Sequence, residues 1–211
     1  VDDNLQFSSW AELYNSGSED VDVSSYFLSD TSVVSDKWRI VDEGSSSKAI
    51  IKPGGFLVIY LDGSTEDPLP FHASFKLPAK KGGLYLFDES GRQIDRMVYD
   101  TTYRNVSYGR VEDGAKNCAF FLTSTCGASN NGSMCSSVQT PSPSFDLTPG
   151  FYSGEQTISI NDPDGSAEIY YTTNGAEPTK EKGSLYEQPI RISCNTPLRA
   201  AAYHDGQIPS N

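Results

Sequence analysis

The sequence predicts an all-β chain built as two antiparallel β-sandwich modules joined by a Ser/Pro-rich linker. Three observations lead there. Short apolar runs bounded by Gly, Pro, Asn and Asp recur along the chain, the pattern of strands and tight turns. No stretch carries the i, i+3, i+4, i+7 spacing of a long amphipathic helix. The apolar fraction is only 36 %, yet 12 Tyr, 10 Phe and 2 Trp supply large burial per side chain.

Taken in order, Phe7 to Tyr14 alternates as a half-buried strand and is broken at Asn15-Ser-Gly17. Val21 and Val23, then Tyr26 to Leu28, then Lys37 to Val41, follow as short strands. The strongest core signal is Phe56-Leu-Val-Ile-Tyr-Leu61, introduced by Pro53-Gly-Gly55 and ended by Asp62-Gly63. Its β-branching and length predict a strand buried on both faces. Phe75 to Leu77 reads as another strand, and Leu84–Phe87 with Ile94–Tyr99 as a hairpin around Asp88-Glu-Ser-Gly91. Gly82-Gly83 reads as hairpin punctuation. Ser107–Arg110 and Phe120–Leu122 complete this module.

From Thr123 to Gly150 the chain is dominated by Ser, Thr, Asn, Gly and Pro, with single apolar residues and no period. Such a composition reads as connection, stiffened at Pro141-Ser-Pro143. Beyond it, Thr157–Ile160, Glu168–Thr172, Pro189–Ile192 and Leu198–Tyr203 form a second strand set. Asn174-Gly175 is expected to turn with φ > 0 at both positions. The division is residues 1–126, a linker 127–140, and residues 141–211.

The net charge is −12. Split at Thr125, the two parts carry −7 and −5, so neither offers the basic footprint of a nucleic-acid binder. No apolar run reaches the roughly 18–20 residues that cross a bilayer. Cys118, Cys126, Cys135 and Cys194 lack CxxC spacing. A disulfide among the first three and free thiols are both compatible with that spacing.

Reactive constellations are sparse. The only histidines are His72, in a Pro-rich loop, and His204, beside a turn, which speaks against a Ser-His-Asp triad or a multi-His metal site. Carboxylate pairs such as Asp42-Glu43 and Asp88-Glu89 adjoin turns and read as solvated. No catalytic residue, cofactor or metal is expected. If a cation binds, Asp62, Glu66 and Asp67 are the carboxylates suited to calcium. Tyr103 and Tyr108, near loop ends, are the candidates for ligand contact, since flat aromatic faces stack on sugars. Tyr170, Tyr171, Tyr186 and Tyr203 lie in or beside strands, where one of an adjacent pair must point inward.

Two resemblances follow. Trp10-Ala-Glu-Leu-Tyr-Asn15, Tyr26-Phe-Leu-Ser-Asp30, Ile51-Lys-Pro-Gly-Gly-Phe56, Phe75-Lys-Leu77 and Ser107-Tyr-Gly-Arg110 occur in an order that resembles the lamin tail domain of secreted bacterial proteins. This implies an immunoglobulin-like sandwich without a catalytic centre. Pro149-Gly-Phe-Tyr152, Ala167-Glu-Ile-Tyr-Tyr-Thr-Thr-Asn-Gly-Ala-Glu-Pro-Thr179 and Leu198–Tyr203 resemble the C-terminal domain of chitobiase and related hexosaminidases, an immunoglobulin- or fibronectin-like accessory. That pattern continues past Ser210 into another strand, which leaves either a trimmed edge strand or a piece of a longer protein, and the latter is the expectation. The expected function is a non-catalytic binding or display pair, secreted or at the cell surface, with an unknown protein or glycan ligand. The alternative is an accessory region of a secreted enzyme.

Overall fold

The computed structural model describes residues 8–41, 49–64 and 71–210. Among them there is no helix, and the chain is all-β with antiparallel sheets. It forms two compact units, one within Val1–Cys118 and Thr123–Ser133, the other within Ala119–Leu122 and Met134–Asn211.

In the first unit β1 (Trp10–Tyr14) pairs with β6 (Phe56–Tyr60), and β2 (Val21–Asp22) pairs with β5 (Ile50–Ile51). A four-stranded sheet runs in the order β4 (Trp38–Arg39), β3 (Phe27–Ser29), β7 (Lys80–Phe87), β8 (Gln93–Thr101). β9 (Ser107–Arg110) follows. Val23, Leu28, Ile40, Ile51, Ile59, Leu61 and Phe75 are buried in one cluster, with Leu13, Leu57, Leu84 and Leu86 packed against it. Residues of all three sheets thus meet across one apolar layer, which makes this a sandwich. Full burial of each Ile or Leu there contributes about 1.5–3 kcal/mol.

Asn15, buried at the end of β1, ties three chain segments together. Its Nδ2 donates to the carbonyls of Glu19 (2.7 Å) and Ile51 (2.8 Å), and its Oδ1 accepts from the Gly17 amide (2.9 Å). The β7–β8 turn is organised by Asp88, whose Oδ1 accepts from the amides of Ser90 and Arg92 and from the Ser90 hydroxyl. These bonds, the Ser90 hydroxyl's foremost, hold the Asp88 carboxyl down to about 2. Gly91 closes the turn at φ 79°, a conformation that only glycine adopts cheaply.

Four local expectations are corrected. The Phe56–Leu61 run is not buried on both faces: Ile59 and Leu61, on one face, are buried and Leu57 packs with them, while Phe56, Val58 and Tyr60 on the other face are only half-buried. Phe75–Leu77 is irregular chain, with Phe75 reaching the core from a loop. Gly82 and Gly83 lie inside β7 and pair with Tyr99 and Val98, so they are strand residues. At Asn174-Gly175 only Gly175 takes positive φ, at 78°; the Asn174 side chain accepts from the Ala176 amide and makes the turn by itself.

The second unit contains β10 (Cys118–Phe121) paired with β11 (Cys135–Ser136), and β12 (Ser144–Phe145) paired with β14 (Ile160–Asn161). β13 (Gln156–Ile158) pairs with β17 (Ile190–Ile192), and β15 (Glu168–Thr172) lies between β16 (Ser184–Leu185) and β18 (Arg199–Tyr203). Ile160, Ile169, Ile190 and Ala202 form its core. Tyr171 and Tyr186 pack on this core at 6.4 Å, edge to face, and the Tyr186 hydroxyl accepts the Ile160 amide.

The polar seam is divided between the units, residues 123–133 in the first and 134 onward in the second, and each part is hydrogen-bonded within its own unit. The Asn130 side chain donates to the Arg110 carbonyl and its amide to Asp113, while the Gly127 amide donates to Glu12 Oε1 at 2.7 Å. Thr140 is buried, and its amide donates to the Ile208 carbonyl.

Candidate functional site

The first place where reactive groups meet is the end of β6. Residues 71–73 return beside it: the Tyr60 amide donates to the Phe71 carbonyl, and the Ala73 amide to the Tyr60 carbonyl, both at 2.8 Å. Phe71 sits at φ 61°, which costs a bulky side chain conformational energy. The next residue, His72, points inward with its side chain fully buried. Its Nδ1 lies 2.6 Å from Asp62 Oδ2, and its ring packs 4.9 Å from that of Tyr60. Its Nε2 is buried without a hydrogen-bond partner among the described residues. Asp62 Oδ1 accepts the Ser64 amide at 3.0 Å.

Asp62, the carboxylate named above for calcium, therefore faces a histidine that the sequence placed in a loop. The pairing was illegible because the partners are ten residues apart and no local period links them. The imidazole is sealed from solvent, while Asp62 keeps a small exposed edge. Glu66 and Asp67 lie outside the described residues. Among the described residues no three His, Cys, Asp or Glu side chains gather as a metal site.

Tyr103 precedes the turn leading into β9, which passes through Asn105 at φ 58°, while Tyr108 is not at a loop end but inside β9, its second residue. Both are half-buried. Burial, foremost, and the neighbouring Cys118 push the Tyr108 hydroxyl above its ordinary range.

A groove that sequence reading missed opens on β7 and β8. It has a volume of about 360 Å3 and is lined by Asp30, Thr31, Lys81, Tyr85, Tyr99 and Asp100, among others. Two glycines of β7 lie under aromatic rings on opposite faces of the strand: Gly82 pairs with Tyr99, and Gly83 shares its face with Tyr85. A Cβ at Gly82 would stand 2.6 Å from the Tyr99 hydroxyl, and one at Gly83 3.0 Å from the Tyr85 ring. Both rings occupy space that side chains on β7 would fill. The Tyr99 hydroxyl donates to the Pro78 carbonyl at 2.8 Å. Burial, and then the charge of Asp30, keep that hydroxyl protonated above its usual range. Lys37 holds Asp30 at 2.6 Å, and the buried Ser29 hydroxyl accepts the Thr31 amide, so the groove's loop wall is preorganised.

In the second unit Tyr170 and Tyr203 lie on the sheet face opposite Tyr171, edge to face at 5.6 Å. Lys180 sits over both rings and reaches Glu168 at 2.6 Å. The Tyr203 hydroxyl donates to the Pro178 carbonyl, so this cluster fastens the 173–183 loop. Phe151 is fully exposed on a turn that Tyr152 closes by donating to the Thr148 carbonyl. His204 is engaged at Nδ1 by the Asp205 carbonyl. All four cysteines are free thiols.

Comparison with known proteins adds one finding. Residues 147–211 match the family described as the chitobiase/beta-hexosaminidase C-terminal domain. No curated protein and no solved structure matches the chain significantly.

Proposed function

We propose that this chain is a non-catalytic accessory region of a secreted or cell-surface protein, binding or displaying on a glycan-bearing surface. The observation that carries the reading is the match of residues 147–211 to a domain of chitobiase and hexosaminidase type. The second unit has its own core, as an accessory domain requires. The resemblance of the first unit to the lamin tail domain of secreted bacterial proteins supports the extracellular setting.

Catalysis gains no support from the side chains. His72 is sealed, His204 is bonded to a backbone carbonyl, and the Lys180–Glu168 pair is engaged with aromatic rings. A second reading, a spacer that positions a catalytic domain located elsewhere, is favoured by the same domain match.

The test has two arms. The purified chain is incubated with chitin oligosaccharides and with a chromogenic N-acetylglucosaminide, and the products are followed by chromatography; no turnover is expected. It is then sedimented with insoluble chitin, cellulose and xylan, with co-sedimentation expected for at least one. Turnover would refute the non-catalytic reading. Soluble protein with all three polymers would favour the spacer.

A further inference from the structure

We propose that the first unit pairs with a second copy of this chain through β8, strand to strand and antiparallel, with Val98 on the two-fold axis. The proposal stands apart from the glycan-directed reading, and its test needs no ligand.

Among the described residues β8 is the outer strand of the four-stranded sheet, with β7 as its neighbour on the inner side. The opposite edge, β4, is two residues long, whereas β8 runs for nine, Gln93–Thr101. An open strand edge is a row of unpaired N–H and C=O groups, which folded proteins blunt with short strands, Pro, Lys or bulges. β8 contains no Pro, Gly or Lys, and the register shift in its pairing lies near its start, opposite Leu86 and Phe87. Asp95 is already engaged by Arg110 at 2.6 Å.

The register says which backbone groups are open. The Thr102 amide donates to the Ala79 carbonyl, so that residue faces β7. Hydrogen-bonding groups alternate in direction along an antiparallel strand. Asp100, Val98 and Arg96 therefore face β7 as Thr102 does, and the N–H and C=O groups of Met97, Tyr99 and Thr101 point to the open side. A two-fold pairing joins those open groups to one another only when odd-numbered residues meet odd-numbered ones, which places the axis on a residue and not between two.

Side-chain chemistry selects the residue. Asp95 and Met97 pair with Leu86 and Leu84, which pack on the core, so Arg96, Val98 and Asp100 lie on the outward face of the sheet. All three are exposed, Val98 at 51 %. Among the described residues neither Arg96 nor Asp100 forms an ion pair. An axis at Val98 sets Arg96 against the second copy's Asp100 twice, with the two Val98 side chains meeting between them. On the other face it sets Met97 against Tyr99. Opposite charges and apolar–aromatic pairs directly across a ladder are the ones that stabilise it. An axis at Asp95, Arg96 or Asp100 sets like charges face to face, and one at Met97 or Tyr99 sets Arg96 and Asp100 against uncharged residues. Axes nearer the strand ends shorten the overlap.

The test is sedimentation equilibrium of the full chain over a series from micromolar to millimolar, with 1H–15N NMR spectra at both ends. A strand pair of this length buries less than a standard interface of about 1,600 Å2, so the expected dimer is weak and dissociates on dilution. The amides of Met97, Tyr99 and Thr101 are expected to shift with concentration and to exchange more slowly in the dimer. Val98→Lys, at an exposed position, sets two like charges on the axis and is expected to weaken the dimer about tenfold or more. Arg96→Asp and Asp100→Arg are each expected to weaken it several-fold. Combined in one chain they are expected to restore it, because each reversed charge again meets its opposite. Spectra unchanged outside β7 and β8 check that every variant keeps its fold. A monomer at the highest concentration, a dimer indifferent to Val98→Lys, or concentration-dependent shifts confined to residues 134–211 overturns the pairing through β8. A double variant that dimerises no better than the single ones overturns the axis at Val98 and with it the proposal.

Discussion

Removing the Asn15 side chain tests how the first unit is held together. Asn15→Ala deletes three hydrogen bonds at once: the donations to the Glu19 and Ile51 carbonyls and the acceptance from the Gly17 amide. Each such bond contributes about 0.5–1.5 kcal/mol net, and a buried partner left unsatisfied costs more. The bond to Ile51 is buried and links positions 36 residues apart. The expected loss is therefore about 2–4 kcal/mol, or roughly 6–20 °C in the midpoint for a unit of this size. Both tryptophans, Trp10 and Trp38, belong to the first unit, so urea unfolding followed by tryptophan fluorescence reports that unit alone. Asn15→Asp keeps an acceptor for Gly17 but loses both donors and places a charge at a buried position; it is expected to be at least as destabilised near neutral pH. A midpoint for Asn15→Ala within about 0.5 kcal/mol of the parent would refute the argument, because it would show that water replaces the side chain at no cost.

Two further predictions concern charged groups. Burial, foremost, and the charge of Asp113 raise the Glu12 carboxyl, against the opposing pull of the Gly127 amide. A carboxyl raised on folding favours the folded state at low pH and loses that contribution as pH climbs through its folded value. Glu12→Gln, which can still accept from Gly127, is therefore expected to be more stable than the parent at pH 7, with the difference vanishing near pH 4; the comparison is urea unfolding at both pH values. Lys180→Ala removes an exposed ion pair and two ring contacts, expected to cost about 1 kcal/mol; amide exchange of β15 and β18 measures it, and unchanged protection would show that the cluster does not fasten the loop.

Much of this architecture is legible before folding is considered. The runs Glu168–Thr172 and Leu198–Tyr203 announce themselves as strands by their apolar residues and the turn residues that bound them, and they are β15 and β18; that the two pair is a fact of the fold. Local signals fail where burial comes from elsewhere. Apolar residues at 56–61 suggested a doubly covered strand, but coverage depends on what packs over each face, and only the face of Ile59 and Leu61 meets the core. The seam reads as connection because its side chains are small and polar; Asn130, Thr140 and Gly127 nevertheless find partners at positions 20, 68 and 115 residues away.

The order of apolar and turn residues along the chain, by itself, determined the all-β class and the helix-free character, since strand period and turn chemistry are properties of neighbouring residues. Tertiary structure alone decided that Asp62 would face a buried His72, and that Gly82 and Gly83 would lie inside β7 beneath the rings of Tyr99 and Tyr85 instead of closing a hairpin. Those outcomes depend on which groups meet through space after the sheets have packed, and no local period encodes that meeting.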